Sequence, residues 1–419
     1  MAERGGSSRR WLFGISLFVL VVASVAAMTL RRAPQVAAAA PPPPIVPAVT
    51  ESCPAIDPPP AEPSKNVPTL VEAAAAKVQR REQALARELS KMWTRNPDEL
   101  VSVIDGASRT EPKSPSVTLL LAIAHAETNG KVLDVSEAGA VGLAQATPIA
   151  CRQEKFEGAL FVTDDYLIGS RAYITKKPLG DADTIATLVV DKDDAKTRRR
   201  AKRLLESAKE LRREGIDELD LLEPFAKTHY FASIKAADQH NLATLRHLGK
   251  LLDHGSRREL RSFRNDVRRE YRALKATQLA AWKRYQNDLA AERDRVLEEH
   301  YGKAASIIKK EMPYEAGEYL GEHLDERFSA SKMAAFLVRH LERKAEEARK
   351  LASSDASDDD VEAMTAALYN GGSHNVKRML AGLIRSLPET QQYMKKVPAT
   401  RRRLDIAAAR VEPPVRETR

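Results

Sequence analysis

Residues 116–130 read SVTLLLAIAHAETNG, and this stretch decides the fold. Between Val117 and Ala126 only Thr118 and His125 are polar. A helix that is apolar on every side is one that neighbouring elements must cover. Ser114 and Pro115 give it a start signal, and Asn129-Gly130 a stop. Glu127 then falls at the C-terminal end of a buried helix. Desolvation disfavours its carboxylate, and the negative end of the helix dipole disfavours it further. A carboxyl still protonated near neutral pH is what a general acid needs. Taken alone, the same pattern also describes a solvated glutamate on a helix end.

Helical spacing continues outward from this segment. Val71, Val78, Leu85, Leu89 and Met92 form one stripe, with Glu, Arg and Lys on the other faces. Residues 196–213 and 257–300 are long and charged with thin apolar stripes, which reads as exposed or paired helices. Residues 331–351 and 360–370 add two more helices, Asp358 to Asp360 beginning the second. Thr187–Val190 is the one strand-like run. Aromatics are 5% and glycines 19 of 419 residues, a composition that excludes an all-β sandwich or barrel. The expected fold class is all-α.

Two cysteines, Cys53 and Cys151, exclude a disulfide scaffold and a Cys₄ metal site. The formal charge of +9 is spread along the chain and does not call for nucleic acid. His240, His247 and His254 would stand about 10 Å apart along one helix, too far for two of them to share a zinc. Asp191, Asp193 and Asp194 imitate the start of a calcium loop without its glycine or closing glutamate. The basic runs at 198–200 and 257–272 read as solvated helix faces. No metal and no cofactor is expected.

Residues 11–30, WLFGISLFVLVVASVAAMTL, carry no charge and are long enough to cross a bilayer as a helix. Arg4, Arg9 and Arg10 precede them, and Arg31 and Arg32 follow. Residues 1–10 are expected in the cytoplasm, 11–30 as a single-pass inner-membrane anchor, and the rest in the periplasm. The alternative is a signal peptide cleaved after Ser24-Val25-Ala26. Residues 31–68 form a Pro/Ala-rich linker: twelve of the 23 prolines lie between Pro34 and Pro68, making a stiff spacer.

Two more segments carry chemistry. Gly139-Ala140-Val141-Gly142-Leu143-Ala144-Gln145 has glycines that allow a ligand or backbone to come close. The Gln145 amide can both donate and accept, which suits sugar hydroxyls and N-acetyl groups. Ala367-Leu368-Tyr369-Asn370-Gly371-Gly372 ends a helix and offers the Tyr369 hydroxyl to Glu127. Each segment alone also fits a plain turn or helix cap.

Together, in this order, they resemble the catalytic domain of the soluble lytic transglycosylases, the lysozyme-like glycoside hydrolase family 23. That family carries Glu-Ser at a helix end, then Gly-Ala-Ser-Gly-Leu-Met-Gln, then Ala-Tyr-Asn-Ala-Gly. Glu127 matches its catalytic acid/base, and the eighteen-residue step from Glu127 to Gln145 fits. Thr128 stands where Ser is usual, Ala144 where Met is usual and Leu368 where the first Ala is usual. The 224 positions between Gln145 and Tyr369 exceed the family's gap, so a large helical insertion would split the domain.

The resemblance implies cleavage of the bond between N-acetylmuramic acid and N-acetylglucosamine in peptidoglycan. Glu127 would protonate the glycosidic oxygen, then act as base on the muramyl 6-hydroxyl to give a 1,6-anhydro product. Gln145, Tyr369, Asn370, Gly142, Leu143 and Thr128 would touch substrate. The implied layout is an N-terminal helix at 69–98, a first domain part at 99–175, and an insertion at 176–330 arranged as a hairpin or coiled pair. A second domain part at 331–396 and a basic tail at 397–419 follow. Implied partners are peptidoglycan strands, the inner membrane through residues 11–30, and an envelope protein at the insertion, with no nucleic acid. The alternatives are a non-catalytic glycan-binding scaffold and a hydrolytic lysozyme of the same fold.

Overall fold

The computed structural model describes residues 70–411, apart from 94–96, 112–113, 228, 354 and 386. The expected anchor, the spacer with Cys53, and residues 412–419 lie outside the described residues. Among those described, the protein is all-helical, with no strand and no helix long and apolar enough to cross a membrane. Thr187–Val190, read as strand-like, is helical.

The helices are α1 (Leu70–Ser90), α2 (Asp98–Thr110), α3 (Val117–Thr128), α4 (Pro148–Gln153), α5 (Asp164–Asp191) and α6 (Ala195–Asp220). They continue as α7 (His229–His254), α8 (Arg257–Tyr301), α9 (Ala305–Glu311) and α10 (Pro313–His323). The chain then forms α11 (Ala330–Leu351), α12 (Asp358–Gly371), α13 (Ser373–Leu380) and α14 (Pro388–Ala409).

The apolar helix α3 sits where its composition demands. Leu120, Leu121, Ala122, Ile123 and Ala124 are fully buried. The Ser116 hydroxyl accepts from the Leu119 amide, and Asn129 takes the left-handed conformation at φ 51°, ending the helix one residue after Thr128. α14 and α2 pack against it, and α11, α12 and α1 complete this part of the body. The Thr118 hydroxyl donates to the Asp405 carboxylate at 2.6 Å, pinning α14 onto α3.

The residues between the motifs build two cores. α8 is 45 residues long, about 67 Å, and lies along α5. Its distal half, with α6, α7 and the second half of α5, encloses an aliphatic core that includes Ile185, Val189, Leu205, Leu245 and Leu260. Its proximal half joins the first core: Tyr285, Leu289 and Leu297 share it with Leu120 and Ile123.

The stretch 176–330 is therefore not a self-contained insertion. The boundary at 175/176 falls inside α5, which runs unbroken from Asp164 to Asp191. The long helix α8 pairs with α5, which begins before that stretch, rather than closing a hairpin of its own. Likewise 396/397 falls inside α14, whose Val397 and Leu404 are fully buried, so residues 397–409 are core helix and not tail.

Candidate active site

Glu127 lines a cleft of about 450 Å³ together with Gln145, Tyr369 and Asn370. Burial pushes its pKa up to about 7, against the opposing pull of the Tyr393 hydroxyl and the Lys396 charge. Tyr393 and Lys396 both come from α14. The Tyr393 ring is buried, and its hydroxyl lies beside Glu127 without making a hydrogen bond within the protein. Sequence reading missed Tyr393 because the shift to basic composition hid the helix carrying it. The signal was the spacing of Tyr393, Val397, Thr400 and Leu404, which is one face of a helix.

Tyr369 does not bond Glu127. Its hydroxyl donates to the Ala144 carbonyl at 2.6 Å and ties α12 to the glycine loop. Asn370 lines the cleft while its Oδ1 accepts from the Thr390 hydroxyl at 3.1 Å. The side chain of His340 meets Tyr369 edge-on, with ring centroids 5.3 Å apart. Its Nδ1 sits 2.6 Å from Glu154, and burial pushes its pKa down to about 4.

The glycine loop is held from behind by residues outside the motifs. The buried Arg327 guanidinium donates to the Gly139 carbonyl at 2.9 Å and the Ala146 carbonyl at 3.1 Å. It also donates to the Tyr285 hydroxyl at 2.8 Å and pairs with buried Asp325 at 2.6 Å. Burial works against the charge, yet Asp325 holds it well above its ordinary pKa. From α8, Gln286 reaches the Val135 carbonyl at 3.0 Å and Arg293 the Leu133 carbonyl at 2.9 Å. Val141 makes isolated bridges with Val135 and Ala146, and nothing more sheet-like forms among the described residues.

This clamp explains the glycines. At Gly142, φ 72°, a Cβ would overlap the Arg327 carbonyl oxygen; at Gly139, φ 74°, it would strike the Tyr285 ring. The close approach is made by the protein itself, by backbone at Gly142 and by a side chain at Gly139.

Three expected substrate contacts are accordingly elsewhere. Gly142 lies under Arg327, Leu143 is fully buried in the core, and Thr128 is buried with its hydroxyl directed at the Ala124 carbonyl, 3.4 Å away. Gln145 does face the cleft, at φ 44°, and its amide nitrogen donates to the Gly142 carbonyl at 3.0 Å. Its amide oxygen remains to accept from a ligand. His125 accepts from the Trp93 indole at 2.6 Å, and burial drives its pKa down to about 4, a neutral packing residue beneath the acid.

The other singled-out residues resolve separately. His240 pairs with Glu270 at 2.7 Å, and His247 packs on Phe263. Asp194 caps α6 through the Thr197 amide at 2.7 Å. The basic runs are mostly exposed, as expected, and Arg198 and Arg257 also bond the carbonyls of Leu252, Gly255, Val190 and Asp191 at helix ends. Cys151 is buried and free, its thiol pushed up to about 12 by burial. Among the described residues no group of acidic, His or Cys side chains could hold a metal ion.

No family model matches the chain, and no curated protein or solved structure matches it.

Proposed function

We propose that this chain is a membrane-anchored lytic transglycosylase with a lysozyme-like catalytic body, cleaving peptidoglycan strands in the periplasm. The observation that carries the reading is the Glu127 carboxyl, held near a pKa of 7 in the cleft that Gln145 and Tyr369 also line. A group that titrates at the working pH can give a proton and take one back.

The cleft's other two carboxyls suit a nucleophile or base poorly. Glu389 is exposed, and Glu218 lies among Lys177, Lys344 and Lys377. Glu127 has tyrosines as neighbours instead. A single carboxyl suits a route in which the sugar supplies its own nucleophile. Glu127 protonates the bridging oxygen as the glycosidic bond breaks. The 2-acetamido group steadies the oxocarbenium-like charge. The Glu127 carboxylate then accepts the 6-hydroxyl proton as that oxygen closes on the anomeric carbon, leaving a 1,6-anhydro end with no water consumed. The Gln145 amide oxygen, free to accept, orients a sugar hydroxyl or N–H.

Mass analysis of products released from purified wall glycan tests the reading. Anhydro ends are expected. Reducing ends would mark a hydrolase, and absence of release would leave a glycan-binding scaffold. A C-terminal reporter active only in the cytoplasm is expected to be silent, in keeping with export behind residues 11–30.

A further inference from the structure

The cleft extends from Glu127 to an end built largely outside the three motifs. Tyr173 of α5 is its hub. The Lys177 amine lies 4.2 Å from the centroid of that ring, and the Asn375 amide donates to its hydroxyl at 2.8 Å. Asn375 is in the first turn of α13, which starts at Gly372 with no side chain capping it. Gly372, Ser373, His374 and Asn375 all line the cleft, so the free first-turn amides and the positive end of the helix dipole face it.

Lys177 is only 4% exposed, lines the same cleft, and makes no ion pair among the described residues. Its neighbours are answered: Lys344 by Glu347 at 3.4 Å, Lys377 by Glu214 at 2.9 Å, Arg378 by Asp181. Ser170, also lining the cleft and 1% exposed, has a hydroxyl with no partner. Two carboxyls act on Lys177 here, Asp181, which is bonded to Arg378, and Glu218, and burial pushes both toward their neutral forms. A buried cation beside an uncapped helix start is left without an ion-pair partner of its own, which is costly unless a ligand brings one.

We propose that this end of the cleft is an anion subsite, formed by Lys177 and the backbone amides of Ser373–Asn375, that receives a carboxylate of the peptide stem borne by a peptidoglycan strand. The inference rests on reading the chain as a wall-glycan enzyme. The sugars' hydroxyl and acetamido groups are neutral, so the stem supplies the anion.

The test measures binding, on the Glu127→Gln protein, by calorimetry. The probes are a wall disaccharide carrying its stem peptide and the same disaccharide with the peptide replaced by a methylamide on the lactyl carbonyl, which keeps that group neutral. The stem should tighten binding about tenfold, the scale of one charge-assisted contact. Adding Lys177→Met, which keeps the apolar part of the side chain over Tyr173, should abolish that gain and leave the stripped disaccharide's affinity unchanged. Lys177→Arg should keep most of it. Equal affinity for the two probes, or a gain that survives Lys177→Met, overturns the subsite alone. Binding of neither probe overturns the subsite, and glycan release by the parent protein, measured alongside, reports separately on the underlying reading.

Discussion

The two cores of this protein share helices α5 to α8 and are built by different rules. The distal one, around Ile185, Val189, Leu205 and Leu260, is mainly aliphatic, and its margins carry ion pairs such as the exposed Lys202–Asp253 and the half-buried Arg268–Asp183. The proximal one buries Arg327, Asp325, His125, His340 and Tyr285 amid its aliphatics, and holds Glu127 at its edge. Polar groups placed in a core cost free energy unless every one is satisfied. The proximal half carries that cost and yields a fixed loop and a perturbed acid; the distal half stiffens the long pair α5–α8 on which both rest.

The sharpest way to break this contrast is Arg327→Ala. It leaves Asp325 buried and uncompensated and frees the glycine loop. A loss of roughly 3–5 kcal/mol is expected, the scale for removing one partner of a buried ion pair. Denaturant unfolding reads it, and a loss below about 1 kcal/mol would dissolve the distinction between the halves.

Glu127→Gln comes next. Turnover should fall at least about 100-fold, the scale of general acid–base catalysis, and near-normal release of anhydro products would end the assignment. The same variant should be the more stable protein above pH 7. The folded pKa of about 7 exceeds the ordinary 4.5, so the folded state holds a proton the unfolded state has lost, and stability declines between those values. Equal thermal stability of variant and parent at pH 8.5 would mean the carboxyl is well solvated.

Tyr393→Phe should act more gently. The tyrosine lowers the Glu127 pKa, so its removal raises it and extends the protonated, active form to higher pH. The alkaline limb of the pH–rate profile should move upward by about a unit or less. A downward move would contradict the arrangement. The smallest effect belongs to the distal half: Lys202→Ala should change stability by under about 1 kcal/mol, because the pair with Asp253 is exposed.

Helices were easy to read from the sequence, and their ownership was not. The twelve residues of α3 announced burial, and the aligned Ser-Pro and Asn-Gly signals set its ends within two residues. Glu127, Gln145, Tyr369 and Asn370 lie around one cleft, as motif order suggested. Arg327 and Tyr285 could not be found that way, since a lone arginine in a charged stretch carries no periodic mark of its 0% exposure. Gly142 showed the limit of motif logic: the glycine announces that something comes close without saying what. Domain edges failed where composition changed inside a helix, at 175/176 and 396/397.

α14 has a consequence in time. The chain lays down its acid at residue 127, but Tyr393, Lys396 and the Asp405 contact that seats α14 on α3 arrive about 270 residues later. Until α14 folds home, the Glu127 end of α3 lacks the neighbours that flank it in the folded protein. A nascent or truncated chain thus carries every motif residue except the surroundings that make the acid work. On the proposed reading, synthesis order itself delays the working acid until α14 has been made.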